Sequence, residues 1–117
     1  MSDLETVYHQ LLQKPATEEG FPFGPEAAVY KVAGKMFAIL IPEDMPPRLN
    51  LKCDPDRAVA LRDEYEAILP GYHMNKKHWN TLELDGSLPA NLVGELIDHS
   101  YELVVAGLPR KQREKLE

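Results

Sequence analysis

Residues 27–41 read AAVYKVAGKMFAILI, and this stretch decides the fold. It contains two runs rich in β-branched and aromatic residues, 27–33 and 36–41, with the pair Gly34-Lys35 between them. Two such runs joined by a two-residue connection that contains glycine are typical of a β-hairpin. We therefore predict that the two runs are adjacent antiparallel strands.

Two further segments continue the sheet. Residues 48–53, RLNLKC, alternate strictly between polar and apolar, so one face of this strand is apolar and the other is polar and cationic. Residues 79–84, WNTLEL, alternate again and stop at the turn pair Asp85-Gly86. We expect Leu82 and Leu84 to join the apolar face, which leaves Trp79 beside the cationic side chains on an open face.

Helices are predicted before, between and after these strands along the chain. Residues 3–14 place leucines and a valine at helical spacing before Pro15. Asp54-Pro55 is a strong helix start for a segment ending near Tyr65, and Pro89 opens the longest helix. The tail 109–117 is charged and should be a short exposed helical turn. The chain is thus predicted to be α+β, with a mostly antiparallel sheet and helices packed on one face.

Length and composition favour a single domain spanning 1–117. The apolar fraction of 44% and the charged fraction of 27% are ordinary for a globular protein, and no stretch is long and apolar enough to cross a bilayer. The single cysteine, Cys53, cannot form an internal disulfide, which agrees with a reducing compartment. Together with the lack of a membrane-spanning stretch, this leads us to expect a cytoplasmic protein with no membrane association. A net charge of −6 disfavours attraction to nucleic acid by the whole molecule. Nucleic-acid binding would have to be local.

Residues 17–25, TEEGFPFGP, are predicted to form an ordered loop. Two prolines and two glycines oppose regular structure, whereas Phe21 and Phe23 favour burial. The rings either plug an edge of the sheet or line a ligand cleft.

Residues 70–80, PGYHMNKKHWN, form the strongest candidate site. They include the only tryptophan, two of the four histidines and two adjacent lysines, and no acidic residue occurs between Glu66 and Glu83. Such a window in an acidic chain is a place where an anion, a base or the carboxylates of a partner could dock.

The residues nominate no catalytic or metal centre. His73, His78 and His99 have no carboxylate or cysteine at ligand spacing, so we predict neither a metal nor another cofactor. Cys53 is best interpreted as a small buried hydrophobe, and Ser100 is predicted on the buried side of the last helix. No glycine-rich phosphate loop or nucleophile turn is present. The pattern favours a binding protein over an enzyme.

Five blocks of the sequence carry a family resemblance. The blocks are FGP (23–25), KVAGKMFA (31–38), NLKC (50–53), YHMNKKHWN (72–80) and DHSYELV (98–104). Over about residues 18–108 the chain resembles the MmcQ/YjbR family of small bacterial proteins. The resemblance implies a CyaY-like (frataxin-like) two-layer α+β sandwich, sometimes described as a double-wing DNA-binding domain. It implies no catalytic residues.

The leading functional hypothesis is weak, salt-dependent DNA binding through the open sheet face and the 70–80 loop. Cationic side chains would contact phosphates, aromatic rings would stack on bases, and asparagines would contact base edges or sugars. The candidate residues are Arg48, Asn50, Lys52, Tyr72, His73, Asn75, Lys76, Lys77, His78, Trp79 and Asn80. The alternative is a protein-interaction or small-ligand module that uses the same Trp79-centred cleft. A third possibility is that Trp79 packs against the Phe21 and Phe23 loop while the lysines only keep a hairpin tip hydrated. We expect a monomer.

Overall fold

A six-stranded antiparallel sheet organises the chain, and the computed structural model describes residues 4–71 and 74–116 of it. The strand order is β1-β2-β3-β4-β6-β5. The elements in chain order are α1 (Leu4–Gln13), β1 (Thr17–Gly20), β2 (Ala28–Val32), β3 (Lys35–Ile41), β4 (Arg48–Lys52), α2 (Pro55–Glu64), β5 (Ile68–Pro70), β6 (Trp79–Glu83), α3 (Ala90–Ala106) and α4 (Arg110–Glu114). The predicted α+β class, with an antiparallel sheet, is confirmed.

The central hairpin forms where it was predicted, with a turn one residue earlier. Val32 pairs with Lys35, so the two turn residues are Ala33 and Gly34, with φ of 51° and 76°. Positive φ at both central positions matches the right-handed twist of the flanking strands. Glycine adopts this conformation without steric cost, whereas Ala33 is held in it by the pairing on both sides.

Two strands were not predicted, and both lie at the edges of the sheet. The segment expected to be a loop begins with β1, which pairs with β2, and the three-residue β5 pairs with β6. Their sequences are short or charged, so the backbone pairing that a neighbouring strand offers decides their conformation. The predicted burial of the loop rings is wrong: Phe21 is 52% and Phe23 66% exposed.

The main core lies between the sheet and the helices α1, α2 and α3 on one face. Tyr30 and Phe37 are its largest fully buried side chains, and the ring of Phe37 meets Tyr101 of α3 edge to face at 5.3 Å between centroids. Helix α2 starts as predicted, because the Asp54 carboxylate accepts a hydrogen bond from the Arg57 amide at 3.2 Å. Within the described residues, no helix is long and apolar enough to cross a membrane.

The other face of the sheet is less open than the sequence suggested. Val29 and Ile39 form a second, smaller apolar cluster there, and Met74 from the β5–β6 connection packs against it. Neighbouring polar positions on this face, such as Asn50 and Thr81, are also buried. The expectation of a solvated polar face is therefore wrong for its centre, because a connection packs over strands whose alternation alone could not show it.

Candidate anion-binding site

Helix α3 fixes the end of β4 with two side chains. The Lys52 amide donates a hydrogen bond to Ser100 Oγ at 2.9 Å, and the Ser100 hydroxyl donates to the Phe37 carbonyl at 2.6 Å. Two residues on, the Asp54 amide donates to His99 Nε2 at 3.2 Å. Consecutive polar residues of one helix thus bind the backbone where β4 passes into α2, which sets the position of that junction.

The same junction holds a cationic turn, by which we mean residues 75–78. The Cys53 amide donates to the His78 carbonyl at 2.7 Å. Within the turn, the Asn75 side-chain oxygen accepts a hydrogen bond from the Lys77 amide at 2.9 Å, and the Asn75 carbonyl accepts from the His78 amide at 3.2 Å. The turn therefore has a defined backbone conformation, and the oxygen of Asn75 serves that conformation.

An arginine that the sequence analysis did not single out completes the site. Arg62 of α2 donates from Nη1 to the Lys76 carbonyl at 3.0 Å, which places a guanidinium under the exposed Lys76 and Lys77. Lys52 stands opposite Trp79 at the end of β4, next to the strand that leaves the turn. Arg62 lies in the last turn of α2, where a cationic residue is a recognisable sequence feature. Only the fold, however, brings Arg62 to the cationic turn. The structure thus brings together Lys52 and residues 75–78.

Trp79 does not present a stacking surface. It is 9% exposed, and Gly71 lies so close that an added Cβ would come within 2.7 Å of Trp79 Cβ. The Gly71 amide donates to the Trp79 carbonyl at 2.8 Å. The predicted use of Trp79 for base stacking is therefore wrong. The alternative contact with Phe21 also fails, because β6 lies four strands from β1, or about 19 Å.

Two of the candidate asparagines are structural. Asn50 is 4% exposed, and its Oδ1 accepts a hydrogen bond from the Thr81 hydroxyl at 2.5 Å. Asn80 is 2% exposed and points to the helical side, where its Nδ2 donates to the Ala58 carbonyl at 3.4 Å. Neither amide can contact a base without unfolding the sheet locally, so their assignment as base contacts is wrong.

Arg48 lies at the wrong end of β4 for this site. Its Cα pairs with that of Glu83, and its Nε lies 3.9 Å from a carboxylate oxygen of Asp44. Four residues of extended strand, about 13 Å, separate it from Lys52. Arg48 is therefore removed from the candidate phosphate contacts. Tyr72 and His73 fall outside the described residues.

Burial favours the uncharged form of two titratable groups near the site, His99 and Cys53. The pKa of His99 is lowered, chiefly because burial disfavours the imidazolium and next because the Arg57 guanidinium is near. Burial likewise raises the pKa of the Cys53 thiol, which disfavours the reactive thiolate. This agrees with the interpretation of Cys53 as a small core residue.

Two of the three acidic residues of α3 take part in ion pairs. Glu95 accepts from Arg57 at 2.5 Å, and Asp98 pairs with Lys14. Among residues 4–71 and 74–116, no group of three histidine, cysteine or acidic side chains is arranged to hold a metal ion.

Comparisons with known proteins converge on one family. The family model described as YjbR matches residues 12–103. The uncharacterised protein YbdF of Escherichia coli O157:H7 is 38% identical over 96% of this chain and 92% of its own length. YjbR of Escherichia coli K12 is 35% identical over 90% and 89%, and YyaQ of Bacillus subtilis is 30% identical over 85% and 95%.

Solved structures agree with these sequence matches. A crystal structure from Deinococcus radiodurans, described as a DUF419 domain, superposes with a TM-score of 0.92 at 40% identity, over 99% of this chain and 88% of that one. A crystal structure from Pseudomonas syringae gives a TM-score of 0.76 at 28% identity, over 87% and 98%. The sheet with helices on one face is thus shared by homologous structures.

Proposed function

The chain belongs to the YjbR family, and from this premise we propose that it is a non-catalytic, cytoplasmic protein that binds DNA through phosphate contacts at the cationic turn. The observation that supports the proposal most is the anchoring of that turn. The Cys53 amide donates to the carbonyl of His78, the last residue of the turn, and Arg62 donates to the carbonyl of Lys76. Two exposed lysines therefore project from a fixed backbone. Such preorganisation lowers the entropy lost on binding.

The proposed contacts are to phosphates, and none is to a base. Among the described side chains that were predicted to contact bases, Trp79, Asn50 and Asn80 are buried, and the Asn75 side-chain oxygen is bonded within the turn. The charged donors on which the proposal rests are the ammonium groups of Lys52, Lys76 and Lys77 and the guanidinium of Arg62, which bind phosphate oxygens irrespective of sequence. We therefore expect duplex and single-stranded DNA to bind with similar affinity, and base composition to have little effect.

The binding should be weak and strongly dependent on salt. If Lys52, Lys76 and Lys77 each neutralise one phosphate, affinity for duplex DNA falls about 40-fold between about 50 and 200 mM salt. The net charge of −6 opposes the approach of DNA to other parts of the surface. A ligand held by apolar contacts, as in the alternative of a small-ligand or protein-interaction module, would be nearly indifferent to the same change of salt.

Fluorescence anisotropy of labelled duplex and single-stranded DNA tests the proposal. The double variant Lys76→Ala/Lys77→Ala should bind at least about tenfold more weakly at 50 mM salt and lose about two-thirds of the salt dependence. The matched control is Lys111→Ala/Lys115→Ala, which removes two exposed lysines from the region of α4 and leaves the turn intact. Its affinity should stay within about twofold of the parent.

Two results would contradict the proposal. Equal losses in the two double variants would mean that only net charge matters, and no binding to either DNA form at 50 mM salt would remove DNA as the ligand. Because all four lysines are exposed, both variants should keep the parent's circular dichroism spectrum and thermal midpoint.

A further inference from the structure

The edge of the sheet at β1 has the opposite character from the cationic turn. Residues 15–30 include three glutamates, at 18, 19 and 26, and no lysine, arginine or histidine. The same segment carries two large exposed side chains, Phe21 and Phe23. A surface that joins negative charge with exposed aromatic rings suits a partner that joins positive charge with apolar groups.

The backbone of β1 offers hydrogen-bonding groups at this edge. The Thr17 amide donates to the Lys14 carbonyl at 3.2 Å, so it does not point across to β2. Because antiparallel ladders alternate, Glu18 and Gly20 then bond to β2, and the amide and carbonyl of Glu19 point away from the sheet. No described strand lies beyond β1. An extended segment could pair there as a seventh strand.

A groove accompanies this edge on the face of the sheet without helices. It has a volume of about 450 Å³, and its lining includes Glu18, Gly20, Phe21, Val29 and Lys31. Of these lining residues, Val29 is buried and Phe21 is exposed. The groove is large enough for side chains that a paired strand would direct to this face.

Symmetric pairing with a second copy does not fit this edge. In the antiparallel register that uses the outward amide and carbonyl of Glu19 in both copies, Glu19 of one copy would lie directly opposite Glu19 of the other, and like charges directly opposite destabilise a sheet. Charged residues on edge strands commonly prevent such self-association. The same charges attract a strand that carries lysine or arginine.

From these observations we infer that the β1 edge is a second binding site, which takes an extended cationic peptide segment by strand addition. Backbone bonds to Glu19 hold the segment in register. The cationic side chains of the segment lie on the groove side of the added strand, the side of Glu18 and Phe21, and the alternate apolar side chains lie on the helical side. This site is independent of the proposed DNA contacts, since β1 and β6 are four strands apart.

Three labelled heptapeptides provide the probes: one alternates lysine with valine, one alternates glutamate with valine, and one is the lysine peptide with every internal backbone amide N-methylated. Titrated into the full chain, the lysine peptide should bind saturably and the other two at least about fivefold more weakly. The N-methylated peptide keeps its charge but lacks the backbone donors, so it separates strand addition from general electrostatic attraction.

Protein variants locate the site. Glu18→Lys should weaken binding of the lysine peptide by about fivefold or more, whereas Asp63→Lys on the exposed side of α2, with the same charge change, should alter it less than about twofold. Phe21→Ser, which changes an exposed ring, provides a second variant if Glu18→Lys is unstable, and it should also weaken binding.

Three outcomes would overturn the inference. One is equal binding of the lysine and N-methylated peptides, and another is equal loss in Glu18→Lys and Asp63→Lys. The third is a concentration-dependent dimer in sedimentation that Glu18→Lys abolishes, which would assign the edge to a second copy of the chain.

Discussion

Ser100 shows how one hydroxyl connects three elements. Its side chain is fully buried, accepts a hydrogen bond from the amide of Lys52 in β4 and donates one to the carbonyl of Phe37 in β3. The sequence correctly predicted that Ser100 lies on the buried side of the last helix. Its partners could not be predicted, because both are backbone groups of strands far away in the chain.

Replacing Ser100 by alanine should lower the free energy of unfolding by about 1–3 kcal/mol. The change leaves the partly buried Lys52 amide and the buried Phe37 carbonyl without this partner. Urea denaturation measures the effect. Ser87→Ala, at an exposed serine whose hydroxyl donates to Asp85, is the control and should cost less than about 1 kcal/mol. Equal midpoints for the two variants would contradict the bridging role.

Polar residues on strands mark the limit of prediction at the residue scale. Alternation correctly assigned Leu82 to the core face and Trp79 to the other face. It could not show that Trp79 is buried there, because the close contact with Gly71 after β5 depends on strand order. A polar residue in an alternating strand has the same sequence pattern whether water or a loop covers it.

At the scale of elements, the junction of β4 with α2 controls the proposed site. Its amides bind α3 through Ser100 and His99 and bind the cationic turn through His78. The helix start at Asp54 was predicted from the sequence, since capping is a local property. The contacts with α3 and with the turn depend on strand order, which the sequence did not specify. The edge strands were missed for the same reason.

The imidazole of His99 should make stability depend on pH. Its Nε2 accepts the Asp54 amide only when unprotonated, and burial lowers its pKa in the folded state. Arg57 adds to that lowering, whereas the carboxylates of Asp54, Glu95 and Glu102 oppose it. As pH falls through the unfolded value of about 6.5, the unfolded chain takes up the proton first, so the contribution of His99 to stability is present above that pH and lost below it.

Urea midpoints at about pH 7.5 and 5.5, on either side of that value, measure the effect. The parent should lose more stability on acidification than His99→Gln, which cannot titrate. The exposed His9→Gln is the matched control and should behave like the parent. A parent and a His99→Gln variant with the same pH dependence would show that the imidazole does not hold the junction.

At the scale of the whole molecule, opposite charges are placed on distant parts of one sheet. The acidic segment of residues 15–30 includes the β1 edge, and the acid-free window of residues 67–82 includes β5 and most of β6 near the other edge. The sequence showed the acid-free window, and the helix and strand patterns predicted the α+β class. The strand order determines where the acidic segment lies relative to the acid-free window. A net charge of −6 therefore conceals a local cationic site.

The most direct test of the proposed DNA site is a nuclear magnetic resonance titration of the ¹⁵N-labelled protein with a short duplex at low salt. The proposed DNA contact predicts that the largest changes in amide shifts fall on Lys52 and residues 75–78, with a change at the Arg62 side-chain Nε–H. It also predicts that β1 and α4 stay unchanged. Changes concentrated on β1 or α4, with the cationic turn unaffected, would contradict it.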